Sequence, residues 1–431
     1  MGTRDASFFE LYFVLATVWA CGSALTAVGE IDHRAKFSLW WTDTWTSVRF
    51  PEGGGVFDFY IDKRKQDFVS WSERVQTVEF DPATTAVTSV MVPTGETVST
   101  AFWMETLLLH GHHAMLVGSI GCGKRATALG RIRKLPEAYA YAATRVTYRT
   151  TAGTLQKFLE AQLEKAAGKI DYAPPKGKKL VYFVEDLNMS ALDKYGTASH
   201  ASLLRQHMEY GHIYDLAKLS QKAILHTQYV ATMSHETGAF TVDPRLQRLF
   251  ATFAVAFPSR SSLTTIYSTI LSGHLRSFSS TIQELGKRLV QAALSLHSSV
   301  VASFRKTAAL SMYEFTLNHI SAVLQGMLMS RPDQFADPIK FVQLWLHESE
   351  RVYHDRLLTP TDQRKYGTLA AEQAKKHFKD LPTSALFLSP FLFCHFANGL
   401  APHERAYDRV FSFADLQVAP VANAILIPDI C

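Results

Sequence analysis

The chain has 431 residues, 47% hydrophobic and 12% aromatic, which is enough apolar material for two or three packed domains. Its formal charge of +5 is spread without a block of consecutive Lys and Arg, which excludes a nucleic-acid-binding tail or stripe. Cys21, Cys122, Cys394 and Cys431 stand far apart, without the spacing of a zinc site or the density of a secreted disulfide framework, so a reducing compartment is expected.

The first forty residues read as helix. Residues 8–20 are almost wholly apolar and precede Cys21-Gly22-Ser23-Ala24, a stretch like a signal-peptide cleavage region. Asp5 beside Arg4 and Glu10 inside the apolar run oppose that reading, and the run is too short to span a bilayer. A helix packed against neighbouring protein is expected. Met1-Gly2 opens a myristoylation pattern, yet Ala6 stands where that pattern needs Ser or Thr. No membrane partner is expected. Trp40, Trp41, Trp45, Phe57, Phe59, Tyr60 and Trp71 then crowd a stretch broken by Gly53-Gly54-Gly55, which reads as aromatic packing around turns.

From Asp81 onward strand-like and helical segments alternate: 87–92 strand, 97–109 helix, 114–117 strand into a glycine loop. Further strands are expected at 180–184, 229–233 and 253–257, with a helix around 201–209 and Pro258 closing the last strand. This texture predicts a parallel α/β sheet. Beyond about Leu263 the strand signal fades, and Ile282, Leu285, Leu289, Ala293, Leu296 and Val300 mark one face of a helix. The last third is therefore mostly helical, and residues 418–431 read as a truncated connection.

The strongest local signal is Gly118, Ser119, Ile120, Gly121, Cys122, Gly123 and Lys124, between an apolar strand and the helix-forming 126–131. Glycines there let backbone N–H groups turn onto phosphate, the helix N-terminus adds positive potential, and the lysine reaches the terminal phosphates. The next position usually carries a Ser or Thr hydroxyl that ligates Mg²⁺, whereas this chain has Arg125, a donor with no lone pair for a metal. Arg125 could instead contact phosphate. Thr127 faces away from the position a ligand at 125 would occupy.

The apolar strand 180–184 ends in Glu185 and Asp186, at the edge where parallel sheets place ligands. In hydrolytic phosphate-loop sites the first acid holds Mg²⁺ and the second polarises the attacking water. A glutamate in first place sets its carboxylate about one methylene too far, which harms in-line attack more than binding. His110, His112 and His113 lack an acid or cysteine at suitable spacing, so no metal site is assigned.

Residues 57–275, including Asn188-Met189, 193–197, 205–208 and 245–250, resemble the third AAA+ module of the dynein heavy chain motor ring, especially the axonemal type. The likeness continues through Tyr313-Glu314-Phe315, Gln325-Gly326 and 347–352, which resemble the helical lid. The resemblance implies three parts. Residues 1–80 are the end of a preceding module, 81–275 a P-loop AAA+ parallel sheet core flanked by helices, and 276–431 a helical lid with a truncated connection. It also implies ATP or ADP at module interfaces, with an arginine before the last core strand reaching toward the neighbour's phosphates: Arg248, or else Arg245. The polar sensor after the third strand falls on Ser234 in place of the usual Asn, and the lid arginine falls on Asn318.

Lys124 and the glycines keep the family pattern, while Arg125, Glu185, Ser234 and Asn318 depart from it. The implied function is nucleotide binding with weak or absent hydrolysis in a regulatory or structural module, with Mg²⁺ left open. Implied partners are the other modules of the heavy chain, accessory chains and, through the complete motor, microtubules, in cytoplasm or in the axoneme of a cilium or flagellum. Two alternatives stay open: an autonomous AAA+ ATPase forming a homo-oligomeric ring, and an interaction scaffold with a dead nucleotide pocket.

Overall fold

A computed structural model of the protein describes residues 3–28, 31–76, 78, 90–165, 171–235, 241–388, 392–395 and 407–410. They fall into two compact units, Met1–Gln76 with Pro93–Phe257, and Thr77–Val92 with Pro258–Cys431.

The first unit opens with α1 (Thr3–Gly22), a two-residue hairpin of β1 (Ala27–Val28) and β2 (Ile31–Asp32), and α2 (His33–Thr44). The expected single helix over the first forty residues is thus two helices. The break is fixed by Asp32, whose Oδ1 accepts from the backbone N–H groups of Arg34 and Ala35 and restarts the helix. The apolar run of α1 buries Val14, Val18 and Trp19, while Phe9 and Phe13 are exposed. No described helix is long and apolar enough to cross a membrane. The aromatic stretch folds onto the hairpin of β3 (Phe59–Asp62) and β4 (Asp67–Ser70), with Phe57, Phe59 and Trp71 buried. Large rings supply much area around tight turns, and here they close the layer over the sheet.

The centre of this unit is a five-stranded sheet. In chain order its elements are α3 (Gly95–Leu109), β5 (His113–Gly118), α4 (Lys124–Ile132), β6 (Tyr139–Arg145) and α5 (Ala152–Glu160). The small pair β7 (Glu164–Lys165) and β8 (Tyr172–Ala173) follows, then β9 (Lys179–Glu185) and α6 (Ser199–Tyr210). A second small pair is β10 (His212–Tyr214) with β11 (Gln221–Ala223), before β12 (Thr227–Met233), α7 (Pro244–Gln247) and β13 (Phe250–Val255). The sheet order is β13-β5-β12-β9-β6, and every neighbouring pair is parallel.

Parallel strands covered on both faces read as continuous apolar runs rather than alternating ones. Here successive residues divide between two cores. Leu116, Val181, Phe183 and Val230 pack with α1, α3 and α4, whereas Met115, Tyr182, Val184 and Tyr229 pack with α5 and α6. The chain after α1 is fastened to edge strand β13: Ser23 Oγ donates to Thr252 O (2.8 Å) and Ser23 O accepts from Ala254 N–H (2.7 Å).

Two strand expectations need correction. Residues 90–92 form no strand, and 87–89 lie outside the described residues. The last core strand spans Phe250–Val255 and not 253–257, because β13 pairs with β5 from His113 onward. Strand β6 is an addition; its Tyr139-Ala140-Tyr141-Ala142-Ala143 run carries small residues of weak strand preference.

The second unit is helical: α8 (Arg260–Leu275), α9 (Ser280–Ser303), α10 (Leu317–Met327), α11 (Pro338–Tyr353), α12 (Pro360–His377) and α13 (Thr383–Leu386). The pair β14 (Leu392–Cys394) and β15 (Asp408–Val410) completes its described part. The stripe Ile282, Leu285, Leu289, Ala293, Leu296 and Val300 is buried, as its three- and four-residue spacing requires. Residues 418–431 lie outside the described residues.

Candidate functional site

The glycine loop runs from the end of β5 to the start of α4, so the strand delivers it to the carboxyl edge of the sheet. Gly118 must lack a side chain: a Cβ there would stand 2.3 Å from Val255 O on the neighbouring strand. Gly123 caps α4 with φ +89°, in the left-handed region that favours glycine. These constraints aim the first turn of α4 back over the loop, with its unsatisfied N–H groups at the anion-binding end. Lys124 Nζ donates to Gly118 O (2.8 Å) and Ser119 O (2.6 Å), so its ammonium lies within the loop. Cys122 Sγ is 3.7 Å from the same nitrogen, and burial pushes its thiol pKa up despite the ammonium. Ile120 is exposed, as befits a loop apex.

Glu185 ends β9 and Asp186 follows it, beyond strand residues 180–184 that are all buried. Glu185 is itself buried, and two arginines hold it. Arg125 Nε stands 2.8 Å from Oε1, while Arg145 places Nη2 2.9 Å and Nε 3.2 Å from Oε2. Arg145 Nε also lies 3.5 Å from Asp186 Oδ2. Glu185 accordingly raises the Arg145 pKa, chiefly through the hydrogen bond. Asp186 turns the chain with φ +54°, partly exposed, at the lip of the sheet.

Arg145 was not picked out by the sequence. It sits at the end of β6, in register with Glu185 across the parallel pair, and Val146 N–H donates to Glu185 O (2.9 Å). The only sequence signal is a basic residue closing a short strand.

Thr127 is buried, and its hydroxyl donates to Gly123 O (3.1 Å), stitching the first turn of α4 to its own cap. Ser234 follows β12 directly; its carbonyl accepts from Asn188 Nδ2 (2.6 Å), tying the loop after β9 to the end of β12. Arg248 follows α7, before β13, and pairs with Glu209 of α6, which Arg205 also meets at 3.5 Å. Arg245 is exposed on α7, whose start Asp243 caps. Phosphate loop, Glu185 and Arg125 are thus in direct contact through the Arg125 pair, whereas Arg248 belongs to a separate cluster with Glu209. Asn318 lies on α10, in the helical unit. Among the histidines, His113 Nδ1 accepts from Tyr229 N–H (3.1 Å), and burial lowers its pKa to about 4.

Residues 79–258 match the family described as the P-loop containing dynein motor region. Residues 289–388 match an AAA+ lid domain, and residues 2–73 match the dynein heavy chain AAA lid domain. The chain is 44% identical over 416 residues to the dynein alpha chain of the flagellar outer arm of Chlamydomonas reinhardtii, covering 96% of this chain. It is 43% identical to the ciliary dynein beta chain of Heliocidaris crassispina and 42% identical to human dynein axonemal heavy chain 17, each over 91% of this chain. The chain spans 9% of the length of each of these relatives.

Proposed function

The chain carries a dynein heavy chain AAA region with its lid domains, and from that premise we propose that it is a nucleotide-binding module with weak or absent hydrolysis. Its role is regulatory or structural, and its place is third in the motor ring. The single observation behind this reading is the pair of arginines on Glu185 beside an intact glycine loop.

The loop residues fit a polyphosphate. Gly121 and Gly123 adopt positive φ, the α4 N-terminus ends at the loop, and Lys124 exchanges its two carbonyl partners for phosphate oxygens. Bound ATP or ADP would supply the phosphate anions. Gly118, Ser119, Ile120, Gly121, Cys122, Gly123, Lys124 and Arg125 would line them.

Mg²⁺ does not fit the residues present. The position that offers a hydroxyl ligand holds Arg125, the nearby Thr127 is buried with its hydroxyl turned onto Gly123 O, and both oxygens of Glu185 face guanidinium groups. Asp186, partly exposed and 3.5 Å from Arg145, is likewise drawn to a cation already in place. A carboxylate engaged in this way neither ligates a metal nor polarises water well. Retained binding and lost chemistry follow together.

Because its relatives are flagellar, ciliary and axonemal dyneins, the module is assigned to an axonemal motor. There it would contact other modules of the same heavy chain and accessory chains, and act on microtubules only through the complete motor. Arg248 would serve a neighbour's site, with Glu209 holding its guanidinium until then.

The test is a thermal shift with millimolar ATP or ADP. A ligand selective for the native state must raise the melting temperature. A shift in the wild type that disappears in Lys124→Ala supports the reading; no shift in the wild type leaves an interaction scaffold.

A further inference from the structure

We propose that the Arg125 guanidinium takes the place of the divalent cation, so that this site binds a nucleoside polyphosphate without a metal. This rests on the nucleotide-binding reading above and concerns the form in which nucleotide is held.

The acids are neutralised without a metal. Arg125 and Arg145 bring two positive charges to Glu185 and Asp186, which bring two negative ones. A divalent cation would bring the same two positive charges, so the acids are already balanced without it. A further dication would face two guanidinium groups at contact distance of its nearest carboxylate, and that repulsion is least screened around the buried Glu185.

Arg125 is the residue directly after Lys124, in the first turn of α4. Its Nε pairs with Glu185 at 2.8 Å, which keeps the guanidinium beside the loop. The two terminal nitrogens carry the remaining N–H donors and show no ion pair or hydrogen bond among the described residues. With 63% of the side chain exposed, that fork is open to a ligand. Guanidinium forks match phosphate oxygens in pairs, a task that a metal and its hydroxyl ligand otherwise perform. The same carboxylate that would have positioned the metal here positions its substitute.

The prediction is that the fully ionised nucleotide is the natural ligand, so removing Mg²⁺ does not weaken binding. The experiment is isothermal titration of the 431-residue chain with ATP and with ADP, in millimolar Mg²⁺ and in EDTA. For the wild type the expected Kd in EDTA is within about 3-fold of that in Mg²⁺, or tighter. Arg125→Thr, which restores a hydroxyl, is expected to bind more than about 10-fold more weakly in EDTA than in Mg²⁺.

Wild-type binding that falls about 10-fold or more in EDTA overturns the inference and leaves nucleotide binding standing. Equal affinities of Arg125→Thr in both buffers overturn the role of Arg125. No wild-type binding in either buffer overturns the nucleotide-binding reading itself. The wild-type comparison decides the metal question even where a variant fails to fold.

Discussion

Arg125 Nε stands 2.8 Å from Glu185 Oε1, joining the residue after the phosphate-loop lysine to the acid that ends the inner strand β9. One contact thereby links two departures from the family pattern. An arginine at 125 alone would lack a local partner, and a glutamate at 185 alone would be a displaced metal ligand. Together they form an ion pair, and Arg145 adds a second cation to the same carboxylate from the edge strand β6.

Stability should respond to the arginines as a set. Both are more than half exposed, so losing either one leaves Glu185 with a partner, and each single alanine should cost about 1 kcal/mol or less. Arg125→Ala with Arg145→Ala strands a buried carboxylate and should cost about 3 kcal/mol, more than the sum. Urea unfolding of the four proteins checks this. Additive losses would mean that Glu185 finds another partner.

The two key glycines should differ in kind. A methyl group at Gly118 meets a backbone oxygen at 2.3 Å, which no rotamer relieves, so Gly118→Ala should cost about 2–3 kcal/mol. Gly123 has open space around its Cβ position and only its φ of +89° to defend, so Gly123→Ala should cost about 1 kcal/mol. Thermal melting ranks them. Equal losses would show that loop conformation, and not contact with β13, dominates at both positions.

Acid should weaken the fold through buried histidines. Burial lowers the pKa of His113 and of His207 to about 4, against an ordinary value of 6.5. Between these values the unfolded chain binds protons that the folded chain refuses, so the histidines' contribution to stability falls as pH drops from 6.5 to about 4 and changes no further below. The loss is at most about 3 kcal/mol per histidine. Nδ1 of His207 lies 2.6 Å from the buried Tyr229 hydroxyl, so His207→Gln should flatten the profile. An unchanged slope in that variant would remove His207 from the account.

Much of this was legible in sequence because it depends on local spacing. The glycine loop, the apolar run of β9 with its terminal acids, and the stripe on α9 each reside in one short segment, where periodicity and residue type suffice. Arg145 was not legible. Its partner lies 40 residues away, and only the register of β6 on β9 brings them together. Strand β6 escaped for a related reason, since alanines carry little strand preference and pairing with β9 decides its conformation. The break between α1 and α2 likewise turns on an Asp32 cap inside what reads as a continuous helix.

Arg248 should be silent in the isolated chain. Its side chain is 60% exposed and paired with Glu209, so Arg248→Ala should change stability by no more than about 0.5 kcal/mol and leave nucleotide affinity unchanged. Denaturation and calorimetry on the variant check both. A lost affinity in the isolated chain would place Arg248 at this chain's own phosphates instead of a neighbour's.

The most direct test of the central claim is phosphate release from ATP by the wild-type chain under conditions where calorimetry shows the site saturated, with Lys124→Ala as the blank. The expected result is saturation without turnover above the blank, in Mg²⁺ and in EDTA alike. Robust release that requires Lys124 would contradict it, because the guanidinium pair on Glu185 would then be compatible with hydrolysis.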